Sequence, residues 1–122
     1  MNYFNTDKEY KNYIRRVKKE FSVSEVPAGY LFYALNIDGT TSSVISRKDF
    51  FENIKNKIIS FLQKNPDSSL NELVNYTKND IFEEYKSNAL AGRFVSVVLN
   101  SLIYDNKIKL HCFHKKTIVT LI

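Results

Sequence analysis

The side chains best suited to metal or covalent chemistry fall together in His111-Cys112-Phe113-His114, which holds the chain's one cysteine and both its histidines. On a strand, alternate side chains share a face, so Cys112 and His114 point one way and His111 the other. A structural zinc site needs four ligands, and two do not make one. A buried cysteine flanked by two hairpin histidines is therefore expected, with no metal. A cysteine–histidine nucleophile drawn from the same residues has Lys115 and Lys116 to favour the thiolate, but no third group to orient the base. Glu83 and Glu84 are adjacent, so on a helix they diverge by about 100° and form no catalytic dyad. Gly29, Gly39 and Gly92 stand alone, and no phosphate-cradling loop exists. Neither enzymatic activity nor a cofactor is expected.

The remaining chemistry is that of charge. The net charge is +5 and the isoelectric point about 9.3. Its distribution is uneven: residues 1–22 carry +3, 23–46 carry −2, 47–64 carry +3, 65–86 carry −3 and 87–122 carry +4. Basic charge thus sits at both ends and on a central segment, with an acidic block between. Clustered Lys and Arg on a basic chain form the electrostatic footprint of a nucleic-acid binder. The competing reading is an ordinary solvated surface.

The chain has 122 residues, 43% of them hydrophobic, with 8 Tyr and 9 Phe. One domain, 1–122, is expected, with a core that needs neither disulfide nor metal. Residues 1–46 form an N-terminal extension and 47–122 a second unit of the same domain. No apolar run approaches the roughly 20 residues that span a bilayer, and the start lacks the apolar stretch of a secretory signal. A single cysteine fits a reducing compartment. The expected location is a cytoplasm, or a nucleus in a eukaryotic host, with no membrane partner.

Periodicity supplies the elements that must position these residues. Tyr10, Ile14, Val17 and Phe21 make an apolar stripe on a helix over 7–21, with Asp7 as its cap. Its other faces hold Lys8, Lys11, Arg15, Arg16, Lys18 and Lys19. Tyr30 to Ile37, a turn at Asp38-Gly39 and Thr40 to Ser46 read as a hairpin in preference to a buried helix ending at Gly39. Residues 47–64 are helical, with Phe51, Ile54, Ile58, Phe61 and Leu62 on one face and a Ser46–Asp49 capping box. Asn65-Pro66 ends that helix. Ser69 and Glu72 begin a short second one, carrying Leu70, Leu73 and Val74, and Asp80 to Tyr85 add a further turn. Ser87 or Asn88 caps a longer helix with Leu90, Phe94, Val97, Val98 and Leu102 inward. Strands at Lys107–Phe113 and Thr117–Leu121 follow, joined by His114-Lys115-Lys116.

From residue 47 onward this order, with Ser69-Leu70-Asn71-Glu72-Leu73-Val74 and the Leu99, Leu102, Asp105-Asn106, Ile108 pattern, resembles the winged-helix superfamily. The resemblance implies an α+β fold, an N-terminal helix and hairpin packed on three helices and a β-hairpin wing. By its length the link Asn65 to Ser68 leaves no room for the small first strand that many members have. The N-terminal hairpin is the open substitute for it. The link from Thr77 to Lys86 is longer than a tight turn.

In DNA-binding members the third helix enters the major groove and the wing touches phosphate or the minor groove. Carried over, the outward positions of the third helix are Asn88, Arg93, Ser96 and Asn100, where Arg suits guanine and Asn suits adenine. The wing offers Lys107, Lys109, Lys115 and Lys116 for phosphate. The function expected is non-enzymatic binding of double-stranded DNA, as a small regulator or accessory factor. A homodimer would contact through Tyr10, Ile14 and Val17, unless these are core. The alternative is a protein-interaction module, an adaptor subunit or a small inhibitor or immunity protein, because Ala89, Ala91 and Gly92 suit close packing and the third helix carries one Arg and no Lys. Exposed acids at Asp80, Glu83 and Glu84 beside the third helix would favour that alternative.

Overall fold

Tyr13 and Val17 of the first helix, the aromatic strand after it and the three later helices close on one buried cluster. The computed structural model describes residues 7–36 and 39–122, apart from the side chains of Asp7, Glu9, Tyr10, Ile14, Cys112 and Phe113. Its elements are α1 (Asp7–Glu20), β1 (Ser22–Val26), β2 (Gly29–Leu35), β3 (Thr41–Ser46), α2 (Lys48–Lys64), β4 (Ser68–Ser69), α3 (Leu70–Tyr85), α4 (Ala91–Tyr104), β5 (Ile108–Phe113) and β6 (Lys116–Leu121). The class is α+β, with two three-stranded sheets of order β1-β2-β3 and β4-β6-β5. All four strand pairings are antiparallel. Among the described residues no helix is long and apolar enough to cross a membrane.

The expected hairpin is present, and the buried helix ending at Gly39 is not. β2 buries Phe32 and Ala34 on one face, the alternation a strand requires. Asn36 closes the turn: its N–H donates to Thr40 O at 2.8 Å, and its side-chain amide donates to Thr40 Oγ1 and Ser42 Oγ. Gly39 adopts φ +86°, open to glycine at no steric cost. Asp38, expected beside it in the turn, lies outside the described residues, as does the side chain of Asp7, the expected cap of α1.

β1 has no counterpart in the sequence reading. Its residues are almost wholly exposed, so no alternation betrays it. It is held by pairing with β2 from Ser22↔Tyr33 to Val26↔Gly29. Gly29 makes the turn possible, because a Cβ there would lie 2.8 Å from Ser46 O at φ +136°.

Three local expectations are corrected. The Ser46–Asp49 box does not form: Arg47 is the N-cap, without a side-chain cap bond. Ser46 is still the last residue of β3, paired with Tyr30, and its hydroxyl donates to Arg47 O. The second helix is not short, since α3 runs unbroken to Tyr85 and stops where Lys86 turns left-handed. Neither Ser87 nor Asn88 caps the third helix. α4 starts at Ala91, and Ser87 Oγ accepts from Ala89 N–H instead. The Ser69–Glu72 box does form, with Glu72 N–H donating to Ser69 Oγ at 3.2 Å and Ser69 N–H to the Glu72 carboxylate.

A fourth correction concerns the link after α2. Ser68 and Ser69 form a small strand after all, opposite Val119 and Ile118 of β6. The link suffices because Ser69 serves at once as strand residue and helix cap. The N-terminal hairpin therefore does not substitute for that strand and builds its own sheet with β1.

α4 lies at the centre. Phe94, Val95, Val97, Val98, Leu99, Leu102 and Ile103 are all buried, the pattern of a helix enclosed on every side. α2 and α3 pack on one part of it, α1, β2 and β3 on another. Phe32 of β2 stacks on Phe51 of α2 with centroids 3.8 Å apart, joining the N-terminal sheet to the helices. Burial of each such ring stabilises by about 1.5–3 kcal/mol.

Candidate nucleic-acid interface

Three of the five acids in the acidic block are ion-paired within the fold. Arg47 holds Glu84 through two hydrogen bonds, Nε to Oε2 at 2.8 Å and a terminal nitrogen to Oε1 at 2.9 Å, and reaches Asp49 at 3.3 Å. The hydrogen bonds it donates to Glu84, then the charge of Asp49, hold the Arg47 guanidinium above its ordinary pKa. Lys57 pairs with Asp80 at 3.0 Å and Lys86 with Glu83 at 2.9 Å. Lys55 meets both Glu52 and Asp105. Glu72 is engaged in its capping box, and Asp67 accepts from Thr120 Oγ1 at 2.6 Å. Glu83 and Glu84 diverge to different cations, as their adjacency on a helix requires. Asp80, Glu83 and Glu84 thus each have a basic partner.

These pairs occupy Arg47, Lys55, Lys57 and Lys86, and none of them draws on a basic residue of α1 or of the β5–β6 hairpin. On α1, Tyr13 and Val17 point into the core. Helical periodicity then turns Lys8, Lys11, Arg15, Arg16, Lys18 and Lys19 to solvent. None meets a carboxylate among the described residues. Val17, put forward as a dimer contact, is fully buried and is core; Tyr10 and Ile14 have side chains outside the described set.

At the other end, Lys107, Lys115 and Lys116 are exposed and Lys109 is half-buried on β5. The turn between β5 and β6 is tighter than expected: Lys116 already pairs with Phe113, leaving His114 and Lys115 as the two turn residues. Both are left-handed, φ 48° and 62°, as a two-residue hairpin turn demands. Lys115 therefore stands at the tip and Lys116 at the start of β6. His111 is half-buried on β5, and the side chain of Cys112 lies outside the described set. Among the described residues no group of three or more His, Cys, Asp and Glu could hold a metal ion.

The third-helix positions separate. Asn88 is exposed in the turn before α4, Arg93 is exposed in its first turn, and Ser96 is half-buried. Asn100 is not outward at all: it is 5% exposed. It accepts the Tyr13 hydroxyl at 2.7 Å and donates to Asn36 Oδ1 at 3.1 Å and Ser96 O at 3.0 Å. The reason is the N-terminal extension, which lies across the middle of α4 and is pinned there by this residue. An amide side chain inside the largely apolar run Phe94–Ile103 is the signal of a buried hydrogen bond. α4 is open to solvent chiefly at its amino end.

The sequence reading missed a cleft beside β3. Leu31, Ser43, Val44, Ile45, Tyr85, Leu90 and Arg93 line a space of about 320 Å³. Tyr85 spans from α3 to the strand, its hydroxyl donating to Ile45 O at 2.6 Å. Burial, above the opposing hydrogen bond from Ser46, raises the Tyr85 phenol above its ordinary pKa. Nothing periodic marks the cleft, because its walls come from β2, β3, α3 and the start of α4.

No protein-family model, no curated protein and no solved structure matches this chain.

Proposed function

We propose that this protein is a non-enzymatic nucleic-acid-binding protein of winged-helix type that grips double-stranded DNA chiefly through its backbone. The observation that carries the reading is the sorting of charge. Asp80, Glu83 and Glu84 are paired with cations inside the fold, while the α1 cations and Lys107, Lys115 and Lys116 are exposed and meet no carboxylate among the described residues. Such cations release the counterions condensed on phosphates, the dominant source of affinity for DNA. The winged-helix reading is supported by the run α2, β4, α3, α4, β5, β6, in which the small strand pairs with the second strand of the wing.

Phosphate contacts fall to Lys115, Lys116 and Lys107, with Lys109 beside them and α1 as a second basic surface. Base contacts are confined to the amino end of α4, at Asn88, Arg93 and Ser96. Asn100 is too deep to read a base and belongs to the scaffold. A protein-interaction module is the second reading, favoured by the enclosure of α4 and by the cleft beside β3.

The test is fluorescence anisotropy of a labelled random duplex at several salt concentrations. Each phosphate contact contributes about 0.9 to the slope of log K against log salt. Lys115→Glu/Lys116→Glu flattens the slope by about 1.8 if both lysines touch phosphate. Arg15→Glu/Arg16→Glu reports on α1 in the same way. No binding at low salt overturns the nucleic-acid reading.

A further inference from the structure

We infer that the cleft beside β3 captures a short, extended, acidic segment of a partner protein, which adds to the N-terminal sheet as a fourth strand. The inference does not rest on DNA binding, although Arg93 belongs both to the cleft and to the base contacts proposed above.

Three features converge. The first is backbone. Among the described residues β3 pairs with β2 and with no other strand, so no strand covers its other edge. The Asn36 N–H to Thr40 O bond sets the phase of the ladder. Alternation then turns the N–H and C=O groups of Thr41, Ser43 and Ile45 away from β2. The Tyr85 hydroxyl on Ile45 O lies on that outer side, in agreement. The outward N–H and C=O of Ser43 and the N–H of Ile45 have no protein partner among the described residues. Natural edges are commonly blunted by charge, proline or a bulge. Ser42-Ser43-Val44-Ile45 carries no charge and no proline.

The second feature is apolar. Leu31 and Ile45 stand opposite each other on the outer face of the sheet, and Ile45 is 46% exposed. Leu90 and the Tyr85 ring close the far wall. The space of about 320 Å³ takes an apolar side chain and a short stretch of backbone.

The third is charge. Arg93 stands at the cleft, exposed and with no carboxylate among the described residues. Its planar fork matches a carboxylate through paired hydrogen bonds. A phosphate would satisfy Arg93 but would leave the strand edge and the apolar wall unused. An extended peptide with an apolar residue and a nearby Asp or Glu satisfies all three, by strand addition with side-chain pockets for selectivity.

The experiment titrates the 15N-labelled full-length protein with a blocked hexapeptide of alternating threonine and valine that carries one glutamate. Matched peptides carry glutamine or lysine in its place. Saturable shifts at the Ser43 and Ile45 amides and the Arg93 side-chain N–H are expected with the glutamate peptide. The glutamine peptide should bind about tenfold more weakly, from loss of a charge-assisted bond. Arg93→Glu should reverse the preference in favour of the lysine peptide. Ser43→Pro should abolish binding, since it removes an outward donor and no ladder bond. Should that variant lose its dispersed amide spectrum, the Arg93 charge reversal decides alone.

The inference is overturned if no shift saturates at millimolar peptide or if the three peptides bind alike. It is also overturned if the same amides move with protein concentration in the absence of peptide, which would mark pairing between copies of this chain. Displacement of the peptide by duplex DNA at these amides would assign the cleft to nucleic acid instead. Loss of duplex binding alone leaves the inference standing, because the peptide titration reads the Ser43 and Ile45 amides of the β3 edge directly.

Discussion

Asn100 ties the N-terminal extension to α4, and its bond to Tyr13 can be weighed by a double-mutant cycle. The Tyr13 hydroxyl donates to Asn100 Oδ1 at 2.7 Å and also reaches Leu35 O, at a longer 3.4 Å. Tyr13→Phe strips a buried acceptor of its donor and should cost about 1–3 kcal/mol. Asn100→Ala leaves the Tyr13 hydroxyl and Asn36 Oδ1 without their partner and removes packing, at a similar or larger cost. The double variant removes both buried groups together, so it should be less destabilised than the sum by about 1–2 kcal/mol. With about 2.1 cal/mol/K per residue over 122 residues, each kcal/mol moves Tm by about 4 °C. Urea unfolding of the four proteins, followed by circular dichroism, measures the coupling. A coupling below about 0.3 kcal/mol, the level of independent sites, would refute the pinning. If Asn100→Ala instead leaves stability intact and weakens DNA binding selectively at one base, Asn100 is a reader and the N-terminal extension does not cover it in solution.

Other perturbations test the same geometry. Gly29→Ala forces a Cβ to 2.8 Å from Ser46 O at φ +136° and should destabilise by about 2 kcal/mol or more in chemical denaturation. Lys115→Gly relieves a left-handed lysine at φ 62° and should raise stability by about 1 kcal/mol, while removing a wing cation; an unchanged Tm would refute the turn geometry. Because burial raises the folded Tyr85 phenol above its ordinary value near 10, the unfolded chain ionises first as pH climbs. The stability from this group is whole below about pH 10 and falls from there through the raised pKa, so Tyr85→Phe should flatten the alkaline decline of the urea midpoint.

What was legible in the sequence is what local forces decide. The α1 helix, the α2 stripe, the β2–β3 hairpin, the Ser69–Glu72 box and the final hairpin each depend on residues a few positions apart. The surplus of Lys and Arg at both ends was equally plain. Tertiary structure decided the rest, for reasons of sequence distance. β1 is exposed and β4 is two residues long, so neither carries a periodicity to read, and each exists only through a partner strand. The Arg47–Glu84 pair joins residues 37 positions apart, and no inspection of either segment shows that the acids are spoken for. α4 bears an apolar run that suits a half-exposed recognition helix or an enclosed one. Only the arrival of Tyr13 and Asn36 at Asn100, from 87 and 64 residues away, makes it enclosed. That same arrival leaves the amino end of the helix as its main solvent-exposed part.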